Sequence, residues 1–411
     1  MIGLGVDQRP VGVTAAVLVL AGCAAEPPAV MVVSRDSVGI EIVENTAVRS
    51  SGLDQWQFSA EPVLEIGTVE GDPNQEFNGV IGAVRLSDGR ILVGDRGSRE
   101  LRFFDEEGNH RLTVGGPGEG PGEFGRLAAI DVLPGDTVVA SDWPVGTLTW
   151  FDPLGGYVDK TRLGPFWPGL IGRTMADGSL LVDDYERGSY GNELEWWAAT
   201  GQESHFRPTG VVVRVTRDGS SVDTLGEIVG EEWYKIGKLR QGLTIHAAPF
   251  ARTTQVAWNR DRFFVGETGR PEVEVYRLDG ALVQIVRWEA EPTPVTGDDH
   301  DVFRDEVLNG LTRPNRRPDY ERWLAAVPYP ESKPFFRELA ADPSGHLWVQ
   351  PWERGSEDRN RWLVFAPSGR LTAEVEVPAA HTILDLGTDY AVTVWKDDLD
   401  LEYVRIYHVS R

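Results

Sequence analysis

One cysteine, Cys23, stands in a chain of 411 residues. No intramolecular disulfide can form, so the fold rests on packing and hydrogen bonds. Long apolar runs are also missing. None reaches 18 residues beyond the N-terminal region, so no membrane-spanning helix is expected. Positive charge is scarce: 64 acidic residues outnumber 40 basic ones, for a formal net charge of -24. Such a surface repels phosphate backbones and anionic lipid headgroups, which excludes nucleic acid as a partner. The seven histidines, from His110 to His408, are scattered without zinc-ligand spacing. No G-x-S-x-G nucleophile elbow is present. Residues 115–124 are glycine-rich but lack the lysine of a phosphate loop, and Glu119 and Glu123 would repel a phosphate. Paired carboxylates such as Asp183-Asp184 and Asp397-Asp398 arise by chance in so acidic a chain. What the chain has in abundance is glycine (46) and proline (26), with 41% hydrophobic residues. That composition suits a turn-rich β protein with an ample core.

Cys23 is informative by position. Residues 11–20 form an apolar stretch too short to span a bilayer and of signal-peptide length. They lead into Leu20-Ala21-Gly22-Cys23, which resembles the bacterial lipobox. The resemblance implies cleavage before Cys23 and lipidation there, which also leaves no free thiol nucleophile. Residues 1–22 would be the signal peptide, and 23–36 a short tether stiffened by Pro27-Pro28. Membrane contact would run through the lipid alone, at about 0.8 kcal/mol per buried methylene. The expected location is the cell envelope, at the outer membrane or periplasmic face where the source has two membranes. The charged segment ahead of the apolar stretch is weak, since Asp7 offsets Arg9.

From residue 37 onward the chain repeats. Two segments match at an offset of 47 residues: Phe77 with Phe124, Asp95 with Asp142, Phe104-Asp105 with Phe151-Asp152, and Gly108 with Gly155. The unit reads strand, tight turn, strand, loop, strand, tight turn, strand. Its first turn recurs six times, at Asp88-Gly89, Gly135-Asp136, Asp177-Gly178, Arg260-Asp261, Ser344-Gly345 and Thr388-Asp389. These dipeptides allow the positive φ of hairpin turns. The second turn recurs five times, and the chain stops where the sixth would begin. Residues 62–66 align with a fourth strand and belong to no unit of their own. They are expected to close a ring by pairing with the C-terminal strands, which protects the edges. Residues 38–43 are expected to add to the same blade. An open solenoid would leave this split unit unexplained.

Units such as Leu86-Ser-Asp-Gly-Arg-Ile-Leu-Val-Gly-Asp95 followed by Leu101-Arg-Phe-Phe-Asp105 resemble NHL-type propeller repeats. The run Gly116-Pro-Gly-Glu-Gly-Pro-Gly-Glu-Phe124 is similar to a loop of bacterial six-bladed propeller lipoproteins. The resemblance implies an all-β, six-bladed β-propeller over residues 37–411, with a short helical insertion between blades four and five. It says little of function, because such relatives include binding modules, lyases and metal-dependent lactonases.

Three insertions, 185–210, 227–254 and 291–334, all fall on the face opposite the tight turns, the usual mark of a binding face, with neutral drift of surface loops as the rival reading. The last looks helical. Thr296 and Asp299 form a capping pair, and Tyr320, Trp323, Leu324 and Val327 make an apolar stripe expected to lie on the propeller. Candidate ligand contacts are the loop aromatics Tyr185, Trp196, Trp197, Trp233 and Tyr234 and the basic cluster Arg313, Arg316 and Arg317. The aromatics could equally pack the loops down, and the arginines pair with neighbouring acids. A repeated slot, Asp95, Asp142, Asp184, Glu267, Pro351 and Trp395, is mostly acidic. Its expected role is to bond adjacent loop backbone; a hard-cation site is the rival.

The leading expectation is an envelope-anchored binding or scaffold module, without cofactor, whose partner is an envelope protein, a glycan or a peptide. The alternative is a propeller lyase or lactonase-type hydrolase acting on a sugar, lactone or peptide, with calcium as its implied metal. No catalytic residue is assigned.

Overall fold

A computed structural model of the chain describes residues 30–48, 52–68, 71–142, 146–163, 171–175, 177–184, 197–200, 203–238, 242–352 and 359–411. Residues 1–22, expected from sequence to be a signal peptide, and Cys23 lie outside these residues, as do Tyr185 and Trp196.

The strands form a six-bladed β-propeller. Blade one is Val80–Arg85, Ile91–Asp95, Glu100–Phe104 and His110–Gly115. Blade two is Leu127–Val132, Val138–Asp142, Thr147–Phe151 and Tyr157–Arg162. Blade three is Ile171–Thr174, Leu180–Asp184, Thr209–Val215 and Val222–Val229. Blade four is Thr254–Trp258, Arg262–Glu267, Glu272–Arg277 and Leu282–Trp288. Blade five is Phe336–Ala341, Leu347–Pro351, Arg359–Phe365 and Leu371–Pro378. Blade six supplies His381–Leu386, Tyr390–Lys396 and Glu402–Ser410. The first strand of each blade touches the first strand of the next, all the way round, and these six strands line a central channel.

Packing explains the sequence pattern. The second strands Ile91–Asp95 and Val138–Asp142 are buried at every position, because neighbouring blades cover both of their faces. They therefore read as continuous apolar runs, not alternating ones. Hydrophobic clusters fill each of the six seams between blades. In the seam between blades one and two, Phe103, Phe124 and Phe151 are all fully buried.

The N-terminal segment acts as a strap. Its strands are β1 (Met31–Ser37), β2 (Ile40–Thr46), β3 (Asp54–Phe58) and β4 (Leu64–Ile66). β4 pairs antiparallel with Glu402–Ser410, with Ile66 opposite Val404, and so supplies the missing outer strand of blade six. The ring closes where the split repeat requires. The expectation for residues 38–43 is corrected: β2 runs parallel to Leu282–Trp288 and extends blade four, not blade six. β3 runs parallel to Leu371–Pro378 of blade five and also touches the end of blade six. One segment thus crosses the outer edges of blades four, five and six in turn. Asn45 of β2 is fully buried among them. Its amide donates to Arg287 O at 3.0 Å in blade four and to Gly369 O at 2.9 Å in blade five. Its carbonyl accepts from Leu371 N at 2.8 Å.

The three insertions meet as a cap. Ser204–Phe206, Trp233–Ile236 and Thr244–Ala247 form one antiparallel sheet with Trp233–Ile236 central. Helices α1 (Gly297–Asn309) and α2 (Arg317–Ala326) pack on it. The Thr296–Asp299 capping box forms as the sequence predicts. The apolar stripe of α2 does not lie on a blade, however. Trp323 is 0% exposed within the cap, among Tyr234, Ile236, Ala248 and Val327, and its indole donates to Tyr234 O at 2.8 Å. The insertion finds its apolar partner in another insertion, because the seams of the propeller are already filled.

Candidate functional site: a capped chamber at the channel mouth

The repeated acidic slot serves the backbone. Asp142 is buried and accepts from Gly125 N and Arg126 N, both at 2.6 Å. Asp95 accepts from Asn78 N at 3.2 Å and Gly97 N at 3.0 Å. Each carboxylate fixes the loop that leads into its own blade. Glu267 instead pairs with Arg207 at 2.7 Å. Asp95, Asp142 and Glu267 are therefore committed to the framework. Among the described residues no three His, Cys, Asp or Glu side chains converge as a metal site.

The two mouths of the channel differ in what their polar groups do. On the tight-turn face a cavity of about 640 Å³ is lined by inner-strand ends and turns, with Arg85, Asp131, Asp136, Asp385 and Tyr390. These side chains already serve the protein. Asp131 accepts from Thr174 N, and Asp136 accepts from Ser87 N at 3.0 Å and its hydroxyl at 2.6 Å. Asp385 accepts from the Tyr390 hydroxyl at 3.5 Å, and Arg85 lies over the Tyr390 ring.

The other mouth opens under the cap, into a chamber of about 1260 Å³. Its floor is built from inner strands of three blades: Gln255 in blade four, Arg337 and Glu338 in blade five, and Thr382 in blade six. Leu339 lines both cavities and marks the waist between them. The walls come from the cap and its connections: Glu231, Phe250, Phe303, Asp299 and Lys333, with Trp352 at the side. Lys333 is bonded to Asp299 at 2.6 Å. Burial would raise the pKa of Asp299, but the Lys333 ammonium and the Thr296 bonds outweigh it and hold it at about 2. The Arg337 guanidinium stacks 4.3 Å from the Trp352 ring centre.

Glu231, Gln255, Glu338 and Thr382 are different. Among the described residues their side chains make no hydrogen bond or ion pair. Burial raises the pKa of Glu231, against a smaller opposing effect of His246. Glu338 is exposed to the channel and nonetheless hemmed in by protein; the lost solvation raises its pKa, against the charge of Arg337. Unengaged polar groups and shifted carboxyls lining one cavity are the physical signs of a site.

The residues chosen from sequence fall mostly elsewhere. Trp197 is 5% exposed, stacks on Phe206 at 5.0 Å, and donates to the Ser204 hydroxyl at 2.8 Å. Tyr234 is 7% exposed in the cap core, against Trp323. Both hold the cap together and are not offered to a ligand; Trp233 is half-buried beside Tyr234. Arg316 pairs with Asp319 at 2.8 Å, and Arg317 with Glu321 at 3.0 Å. Arg313 and Arg316 line a separate small cavity between the helices. Sequence reasoning missed the floor. A signal was available: at the residue following the one paired with the acidic slot, blades one and two carry Ile81 and Ala128, while blades four, five and six carry Gln255, Arg337 and Thr382. The polar residues at this position sit in the blades that floor the chamber.

Comparison with known proteins agrees on the fold. Residues 74–141 match the family model DUF5128, a 6-bladed beta-propeller. Comparison with curated proteins returns no match. A solved structure of a DUF4221 family member from Bacteroides vulgatus is 8% identical, covering 87% of this chain and 99% of that one, with a TM-score of 0.47. A catalytically inactive virginiamycin B lyase from Staphylococcus aureus is 10% identical, covering 87% and 99%, at 0.41. An aldose sugar dehydrogenase from Streptomyces coelicolor is 13% identical, covering 86% and 98%, at 0.41. Likenesses at this level carry no argument about site or ligand.

Proposed function

We propose that the protein is a binding module of the cell envelope, tethered through Cys23, that receives its ligand in the chamber between cap and channel. One observation carries this reading. Three insertions from separate places in the chain build a single cap, and it encloses the mouth whose polar groups are unengaged. Loops elaborated for no purpose have no reason to converge on one cavity.

A second reading, an enzyme, is favoured by the two carboxyls Glu231 and Glu338, whose raised pKa values suit proton transfer. They stand on different elements around one chamber, as an assembled propeller active site would require. The binding reading needs only occupancy; the enzymatic one needs turnover.

The test is a chamber-filling variant. Thr382 is exposed on the channel floor, so Thr382→Trp fills the chamber without disturbing a seam. The full-length protein and the variant are incubated with envelope extract, and co-eluting small molecules are identified by mass spectrometry. The expected result is a molecule held by the wild type and lost from the variant. Equal retention by both contradicts the assignment, and conversion of the molecule selects the enzymatic reading.

A further inference from the structure

The chamber lining also restricts the chemistry of what it can hold, given the reading of it as the ligand site. Its charges are mixed, with Glu231, Asp299, Glu306 and Glu338 set against Lys333 and Arg337. Lys333 is neutralised by Asp299, and Glu338 lies beside Arg337. A strongly cationic ligand would meet Arg337 in the floor and Lys333 in the wall; a strongly anionic one would meet Glu231, Glu306 and Glu338. An apolar ligand would bury four polar side chains without partners, which is costly for each.

The unengaged groups have a definite pattern. Ionised Glu231 and Glu338 only accept hydrogen bonds, while Gln255 and Thr382 both donate and accept. Their complement is a neutral molecule bearing many hydroxyls, since each hydroxyl donates one bond and accepts others. Carboxylate and amide groups are planar forks that can engage two neighbouring hydroxyls at once. The same chamber presents Phe250 and Trp352, whose rings meet edge to face at 5.8 Å. Such rings pack against the C–H faces of a sugar while the rim hydroxyls reach the polar groups. Size sets the length. A chamber of about 1260 Å³ exceeds the roughly 300–1,000 Å³ of ordinary small-ligand pockets, so it accommodates several linked rings. We propose that the chamber binds a neutral oligosaccharide, with Gln255, Glu338 and Thr382 reading its hydroxyls and the Phe250–Trp352 wall packing on a ring face.

The experiment is titration calorimetry on the full-length protein in mild detergent. The probes are neutral tetrasaccharides of glucan, xylan, mannan and galactan type, with tetragalacturonate as the anionic probe, and spermine and tetralysine as cationic ones. The variants are Glu338→Gln, Gln255→Ala and Thr382→Trp, with melting curves to confirm folding. The expected result is binding of at least one neutral tetrasaccharide, weakened tenfold or more in Glu338→Gln and Gln255→Ala and abolished in Thr382→Trp. Binding of spermine, tetralysine or tetragalacturonate alone, still lost in Thr382→Trp, keeps the chamber as the site and overturns the saccharide. A neutral sugar bound equally well by all three variants overturns the assignment of these residues. No binding by any neutral sugar overturns the proposal.

Discussion

Asn45 gives the sharpest test of the strap. It is the one side chain described above that bonds blade four and blade five at once, and it belongs to neither. Asn45→Ala removes three hydrogen bonds. It leaves Gly369 O and Leu371 N unpaired in a buried setting, and Arg287 O unpaired in a partly buried one. At roughly 1 kcal/mol for each bond, with more where burial is complete, the loss comes to about 3 kcal/mol. Domains are stable by only about 5–15 kcal/mol, so the effect is large. Asn45→Asp tests the direction of the amide. A carboxylate oxygen would then face two carbonyl oxygens, which raises its folded pKa. Stability retained below the unfolded carboxyl pKa is lost as pH rises through the folded one, so this variant should be firmer in acid relative to the wild type. The assay is urea unfolding followed by tryptophan fluorescence at pH 7 and pH 5. The control is Ser34→Ala, which removes an exposed bond to Glu41 and should change stability by less than about 0.5 kcal/mol. An Asn45→Ala loss no greater than the control's would refute the reasoning.

Other outcomes follow from particular side chains. Trp323→Ala empties the cap core and deletes the bond to Tyr234 O, so the cap should lose about 3–5 kcal/mol. Calorimetry should then show an early cap transition with the main propeller transition in place; a single unshifted transition contradicts this. His381 is held neutral, its pKa lowered to about 4 by burial and by the charge of Arg405. The unfolded chain therefore takes up the proton first, and stability present above pH 6.5 is lost as pH falls toward 4, by no more than about 3 kcal/mol. His381→Gln should flatten that stretch of the stability profile, and an unchanged slope sinks the assignment. Asp142→Asn keeps one acceptor and turns a donor toward a backbone N–H, so unfolding should become easier by about 2 kcal/mol, read by urea titration.

The propeller was legible because it is periodic. Asp95 and Asp142 recur because blades one and two hold their approach loops through them, and four of the six tight turns use positive φ, at Gly89, Gly135, Gly178 and Gly345, while Arg260-Asp261 and Thr388-Asp389 turn without it. Residues 62–66 betrayed the closure because an orphan strand in a ring has one vacancy to fill. The strap's second pairing was not legible. A β-prone run such as residues 38–43 shows which face is apolar, but nothing in it names the sheet edge it joins. The cap was hidden for a related reason. Trp197, Tyr234 and Trp323 lie in non-repeating insertions, and an aromatic that packs against another insertion reads the same as one awaiting a ligand. Most of the chamber floor was written in the alignment itself, as Gln255, Arg337 and Thr382, with the first and last more than a hundred residues apart, and Glu338 follows directly on the aligned Arg337. No local motif spans that distance. Only the comparison of equivalent positions with Ile81 and Ala128 brings it out.

The capped mouth is the proposed ligand site. Hydrogen–deuterium exchange on the full-length protein, with and without the molecule it captures, tests this most directly. Protection is predicted in peptides covering residues 247–255, 336–339 and 381–383, with the tight-turn segments 86–90, 133–137 and 258–261 unchanged. Protection of the tight-turn segments with none at the capped mouth would contradict it.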